Sequence, residues 1–252
     1  MAITQKTLLI TGASSGLGRA LALELARGGN NLVVTARRAA LLDSLAAEVE
    51  ARGGRCLPVA ADATNTAEAA AVLDAAYARF GRIDIAVLNA GGGRATNMAE
   101  TSADEVLAIM RMNYDTLVNF LCPLIQHMKA EGGTVAYTSS PAGVFGLPKA
   151  GPYGASKSAG SHLFDACRVE LMGTPIRLVA LYPGFTDTEG LDREEVPVKS
   201  LIISKERAVR EMLWAIERGR ARHMFPRRIR WLMALGEMLP EPLRRRVLAR
   251  AS

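Results

Sequence analysis

Tyr153 and Lys157 stand four apart in the run Tyr153-Gly154-Ala155-Ser156-Lys157, a spacing that puts both on one side of a helix. A phenol ionises at a pH of about 10 and alone is a poor proton donor or acceptor near neutrality. A neighbouring ammonium, helped by any further positive charge at the site, stabilises the phenolate and draws its pKa toward the working range. Thirteen residues before Tyr153, an apolar β-branched run ends in Ser139-Ser140, and a hydroxyl at a strand's carboxyl end can hydrogen-bond a carbonyl oxygen. A tyrosine and a lysine at this spacing also occur on ordinary surface helices, so the chemistry depends on what surrounds them.

A second set lies near the N-terminus, where Thr11-Gly12-Ala13-Ser14-Ser15-Gly16-Leu17-Gly18 follows an apolar run and opens a helical pattern. That is the context of a phosphate-binding loop. Gly12 permits the tight turn, Gly16 lets bare backbone approach a pyrophosphate, and Gly18 lets helix and strand pack closely. The helix entry at Ser14, Ser15 and Leu17 adds amide donors and a partial positive charge. About twenty residues on, a dinucleotide site for NAD places a carboxylate on the ribose 2′-hydroxyl. Here the run Val34-Thr35-Ala36 ends in Arg37-Arg38, whose guanidinium forks suit a 2′-phosphate. The expectation is NADP(H) in preference to NAD(H); the alternative is an ordinary basic pair at a helix start.

To bring these residues together, distant segments must reach one edge. Short apolar runs at 7–10, 31–35, 55–60, 84–88, 134–138, 176–181 and 223–225 alternate with helical patterns at 17–27, 39–52, 67–80, 102–128, 153–172 and 205–218. Continuous apolar strands separated by amphipathic helices imply an α/β fold, a single doubly wound parallel sheet of Rossmann-like type with helices on both faces. The expected organisation is a catalytic domain over 1–226 and a basic amphipathic extension over 227–252. Residues 185–204 are too long for an ordinary connection and read as a substrate lid.

Taken together, these residues resemble the short-chain dehydrogenase/reductase family in its form of about 250 residues, over roughly residues 5–190. Beyond the glycine loop, the matching positions are Asp62, Asn89-Ala90-Gly91, Asn113, Ser140, Tyr153, Lys157, Pro183-Gly184 and Thr188, in order. The resemblance implies a hydride-transferring oxidoreductase that interconverts a ketone or aldehyde with an alcohol. It implies Tyr153 as proton donor and acceptor, with Lys157 lowering its pKa and bonding the nicotinamide ribose. Ser140, not Ser139, polarises the carbonyl, and Asn113 holds a water that links Lys157 to solvent. Asp62 meets the adenine, and Thr188 meets the pyrophosphate or carboxamide. Asn89 either contacts the cofactor or serves as a backbone-bonded turn residue. Pro141, directly after Ser140, removes an amide and stiffens the loop. A non-catalytic NADP-binding regulatory protein of the same fold is the alternative function.

Composition narrows the partners. With 252 residues, 49% hydrophobic and 22% charged, the chain has the balance of an ordered globular protein. No uninterrupted apolar run reaches the roughly 18 residues of a spanning helix, and the N-terminus lacks a signal-like pattern, so a cytoplasmic protein is expected. Cys56, Cys122 and Cys167 lack CxxC spacing and read as small buried residues of a reducing compartment, and the histidines are scattered, so no metal site is expected. The net charge of +6 is local: residues 217–252 hold ten arginines and three glutamates, leaving the rest near neutral. No nucleic-acid recognition motif accompanies it. The tail can pack on the sheet or a partner subunit, lie on an anionic membrane as a peripheral contact, or cap the substrate. The substrate pocket is expected along 92–99, 141–152 and 185–203, with Phe145, Leu147, Phe185, Leu201 and Ile202 making it apolar. A homodimer or homotetramer through the helices at 102–128 and 153–172 completes the expectation.

Overall fold

Seven apolar runs become strands because each is followed by a helix long enough to carry the chain back over the sheet. The computed structural model describes residues 3–194, 196 and 198–251. The expected domain, lid and extension therefore include residues outside the described set: Met1 and Ala2, Glu195 and Pro197, and Ser252 respectively. The strands are β1 (Thr7–Thr11), β2 (Asn31–Ala36), β3 (Arg55–Ala60), β4 (Ile85–Leu88), β5 (Gly133–Thr138), β6 (Ile176–Pro183) and β7 (Arg222–Phe225). They form one sheet in the order β3-β2-β1-β4-β5-β6-β7, every neighbouring pair parallel. The order reverses direction at β1, which pairs with β2 on one side and β4 on the other, leaving a crevice at the carboxyl edge between them.

The helices are α1 (Gly16–Ala26), α2 (Ala39–Glu50), α3 (Thr66–Phe80), α4 (Ala103–Met110), α5 (Thr116–Glu131), α6 (Gly151–Glu170), α7 (Lys205–Glu217), α8 (Arg227–Met238) and α9 (Glu241–Ala251). Side chains alternate across each strand, so Leu8 and Ile10 join a core with α1, α2 and α7, while Leu9 joins another with α3, α5 and α6. Both cores are apolar, the second with Phe120, Tyr137 and Phe164 among its aliphatic side chains, as expected for a sheet covered on both faces.

Three elements differ from the sequence expectation. The single helix at 102–128 is interrupted by a π turn, Arg111–Asp115, between α4 and α5. The cause is Asn113, which is fully buried: its Nδ2 donates to Gly92 O at 2.7 Å and to Ile109 O at 2.9 Å, and its Oδ1 accepts from Gly92 N at 3.0 Å. Those bonds draw the helix toward the loop after β4, and the wider turn absorbs the shift. The tail is two helices, broken at Pro240. Cys122, expected inside, is exposed, on a face of α5 turned away from the core.

Helix α6 lies close on β5 because its inner face has a bare position. A Cβ at Gly160 would stand 2.5 Å from Tyr137 Oη and 2.9 Å from Leu117 Cδ2, and one at Gly154 would stand 2.6 Å from Ala142 O. This approach brings Tyr153 and Lys157, on the first turns of α6, to the end of β5. Gly160→Ala is expected to lower unfolding free energy by about 1–3 kcal/mol in urea titration. Gly146→Ala, where a Cβ meets nothing within 4 Å, is expected to stay within about 0.5 kcal/mol.

Candidate active site

Strand β5 runs into Ser139-Ser140 and a short 3₁₀ turn, Pro141–Gly143, and the pleat sends the two hydroxyls opposite ways. Ser139 Oγ is paired with Ser161 Oγ at 2.7 Å inside the packing of α6. Ser140 Oγ accepts from Ala142 N at 3.2 Å and hydrogen-bonds the Tyr153 phenol. Lys157 is buried, donates to Thr138 O at 2.9 Å, and stands 5.8 Å from the Tyr153 ring centroid. Ser140, Tyr153 and Lys157 therefore meet at the carboxyl edge of β5.

The fourth side of this cluster is bare backbone. A Cβ on Gly93 would lie 2.7 Å from Tyr153 Cδ2. One on Gly91, whose φ is +145°, would lie 2.5 Å from Asn113 Oδ1 and 3.2 Å from Lys157 Nζ. Asn113 Oδ1 and Lys157 Nζ thus flank a single point, although α5 and β5 lie between them in the sequence.

Burial sets the electrostatics. It pulls the Lys157 ammonium from 10.5 down to about 8, because the charged form has lost its water. It pushes the Tyr153 phenol up, with the Ser140 hydrogen bond acting in the opposite direction. The sequence expectation was a phenol lowered by its lysine. Desolvation outweighs the Ser140 bond, so the phenol stands above its ordinary value. The buried Thr138 hydroxyl oxygen beside this cluster has no hydrogen-bond partner among the described residues.

The glycine loop builds the neighbouring groove. Gly12 has φ +67°, and a Cβ there would stand 2.9 Å from Ala90 Cα; at Gly18 it would stand 2.4 Å from Gly12 O. Gly16 has φ +57°, and Leu17 follows it in the first turn of α1. Thr11 Oγ1 accepts from both Asn89 N (3.0 Å) and Ala90 N (2.9 Å), and Asn89 Nδ2 donates to Thr11 O at 3.4 Å. The Asn89 side chain is thus bonded as a turn residue that ties the ends of β1 and β4 together.

Arg38 arches over the loop, donating from Nη2 to Ser14 Oγ at 2.7 Å and to Ser15 Oγ at 2.8 Å. Arg37 is exposed beside Asp62, whose carboxyl is held below its usual value chiefly by the Thr64 amide and hydroxyl, with Arg37 adding a smaller effect. Pro183 ends β6; Gly184 N donates to Phe225 O at 2.8 Å, and Thr188 approaches Gly16. Phe145, expected in the pocket wall, instead lays its ring against α8, where a Cβ on Gly236 would be 2.6 Å from Cζ. The bare backbone at Gly236 provides that seat.

Two residues of this site were not foreseen. Glu189 Oε2 accepts from Gly16 N at 3.0 Å, and its Oε1 accepts from Lys205 Nζ at 2.9 Å. The Lys205 bond is the main reason its carboxyl falls to about 2. No spacing in the sequence marks this pair, because 173 residues separate Glu189 from Gly16.

The residues present fit a dinucleotide. The entry of α1 has no side-chain cap and no acidic residue in its first turn, and Glu189 already supplies an anion to its Gly16 amide. Bare glycine backbone lines the path from there to Tyr153. Fold and groove define a doubly wound α/β protein of the dinucleotide-binding class.

Comparison with known proteins places the chain within that class. The family model described as short chain dehydrogenase matches residues 6–196. An uncharacterized oxidoreductase of Myxococcus xanthus (strain DK1622) is 34% identical over 242 residues, covering 96% of this chain and 95% of that protein. A short chain dehydrogenase/reductase from Burkholderia phymatum, solved in complex with NAD, superposes with a TM-score of 0.85 at 24% identity, over 94% of both chains. An alcohol dehydrogenase from the archaeon Thermococcus sibiricus, complexed with 5-hydroxy-NADP, gives 0.79 at 25% identity over 87% of this chain and 95% of its own. The chain belongs to the short-chain dehydrogenase family, whose members act on alcohol and carbonyl groups.

Burying Lys157 costs stability, and the sign of that cost can be tested. Its folded value of about 8 lies below the 10.5 of an exposed lysine, so the unfolded chain holds the proton more tightly. Lys157→Met is expected to raise unfolding free energy by about 1–3 kcal/mol at neutral pH. The gain over wild type should shrink as pH rises through about 8 toward 10.5, in urea titrations run in parallel across pH.

Proposed function

We propose that the protein is an NADP(H)-dependent oxidoreductase that interconverts a ketone or aldehyde with an alcohol, with Tyr153 as general acid and base. The observation that carries this reading is the meeting of the Tyr153 phenol with the Ser140 hydroxyl and Lys157 beside a glycine-lined groove. The chemistry that a bound nicotinamide supplies there is hydride transfer to or from the carbonyl carbon. Ser140 donates a hydrogen bond to the carbonyl oxygen, and Tyr153 Oη delivers or removes the proton at that oxygen. Lys157 replenishes the proton, and Asn113, flanking the same point as Nζ, holds the water that connects it to solvent. Gly12, Ser14, Ser15, Gly16, Leu17 and Gly18 carry the pyrophosphate, Asp62 the adenine, and Ala90, Gly91, Pro183, Gly184 and Thr188 the nicotinamide half. Asn89 shapes that wall through Thr11.

The preference for NADP(H) rests on Arg38, which Ser14 and Ser15 hold over the loop, and on Arg37 next to it. Half-buried Leu147, Phe185, Leu201 and Ile202 suit a hydrophobic carbonyl compound. Exposed Leu107, Val169 and Met172 on and beside α4 and α6 support a homodimer or homotetramer through those helices. Three free thiols suit a reducing cytoplasm.

Tyr153→Phe is expected to lower turnover on a carbonyl panel by about 10²–10⁴-fold, followed by nicotinamide absorbance. Cofactor affinity should stay within about threefold. A wild-type chain that binds cofactor but turns over nothing in the panel favours the regulatory reading instead. Arg38→Ala is expected to weaken NADP(H) about tenfold or more and leave NAD(H) within about threefold, by fluorescence titration. Equal wild-type affinity for the two cofactors refutes the preference.

A further inference from the structure

Helices α8 and α9 carry an apolar stripe that nothing else in the described chain covers. On α8, Trp231, Leu232, Leu235 and Met238 recur at helical spacing and are 69%, 49%, 60% and 81% exposed. Leu243 and Val247, one turn apart on α9, are 47% and 49% exposed. The orientation is not accidental, because the other side of α8 is anchored. Ile229 is buried against Gly184, and Gly236 sits against the Phe145 ring, over which the Arg244 guanidinium lies at 5.5 Å.

The same two helices hold the charge. Arg227, Arg228 and Arg230 lie on α8, and Arg244, Arg245 and Arg246 on α9, against only Glu237 and Glu241. Glu241 is spent on Arg245 at 3.8 Å. A second copy of this face brings a like-charged surface against it, and a purely polar acidic partner leaves the tryptophan and leucines wet. One surface satisfies both: apolar side chains enter the acyl boundary while guanidiniums stay at the level of negative headgroups. Two helices of 12 and 11 residues can lie in that plane, and no helix among the described residues is long and apolar enough to cross it.

We infer that the α8–α9 face docks on an anionic lipid bilayer. Docking holds the 141–145 loop, which follows Ser140 and touches the protein-facing side of α8 and Arg244 of α9, about one helix diameter from the lipid. Resting on the catalytic reading above, this makes carbonyl compounds dissolved in the membrane the substrate class.

The test uses the full chain in flotation with phosphatidylcholine vesicles, with and without about one-third phosphatidylserine. Wild type is expected to float with the anionic vesicles about tenfold more than with the neutral ones, and to lose most of that in high salt. The triple variant Trp231→Glu, Leu235→Glu, Met238→Glu should remain behind, with an unchanged far-ultraviolet spectrum because all three side chains are exposed. Arg228→Gln combined with Arg246→Gln should reduce flotation severalfold. Equal recovery with both vesicle types, or flotation that survives the triple variant, overturns the docking. So does a wild-type dimer that ignores vesicles and that the triple variant converts to monomer. Turnover on the carbonyl panel and cofactor binding are measured on the same samples, so a failed docking is distinguishable from a failed catalytic reading.

Discussion

A lysine ammonium held inside the protein on one backbone carbonyl is the constraint around which this site is organised. Lys157 donates to Thr138 O, the last carbonyl of β5, and so fixes α6 against the strand end at the point where Ser140 emerges. Without water, the ammonium is lowered to about 8 and becomes a group that can release a proton near neutrality. A surface lysine four residues from a tyrosine would share the spacing and lack that property. The cost in stability and the capacity for proton transfer have one origin, the loss of hydration.

Such an arrangement requires backbones to approach more closely than side chains permit. Gly160 and Gly154 let α6 settle on β5 and on the 141–143 turn, and Gly91 and Gly93 let the loop after β4 pass over Lys157 and Tyr153. Asn113 locks that loop with two hydrogen bonds to Gly92 and makes a third to Ile109 O in α4, and the π turn in the helix accommodates it. The irregular turn, the glycines and the buried lysine are therefore parts of one packing solution.

The groove shows a related economy. At the entry of α1, a carboxylate from the 185–204 segment, Glu189, sits on the Gly16 amide while Lys205 balances the charge. Arg38, braced by Ser14 and Ser15, gives the same loop its second positive group.

Much of this was legible along the chain, for definable reasons. Alternating apolar runs and amphipathic helices specify a parallel sheet covered on both faces, since each apolar face must be buried and each parallel return needs a crossover. The glycine loop, Ser140, Tyr153 and Lys157 are local patterns, and periodicity places each at an element's end. What periodicity cannot contain is contact between segments far apart in sequence. The Glu189 bond to Gly16, the Phe145 seat on Gly236 and the bonds from Asn113 to Gly92 arise only when the sheet order brings those backbones together. Nor can it contain desolvation: the sign of the Tyr153 shift depends on how completely the fold removes water. Residue types and spacing determined the class of chemistry. The tertiary structure decided its electrostatics, because burial and long-range hydrogen bonds are properties of the packed chain.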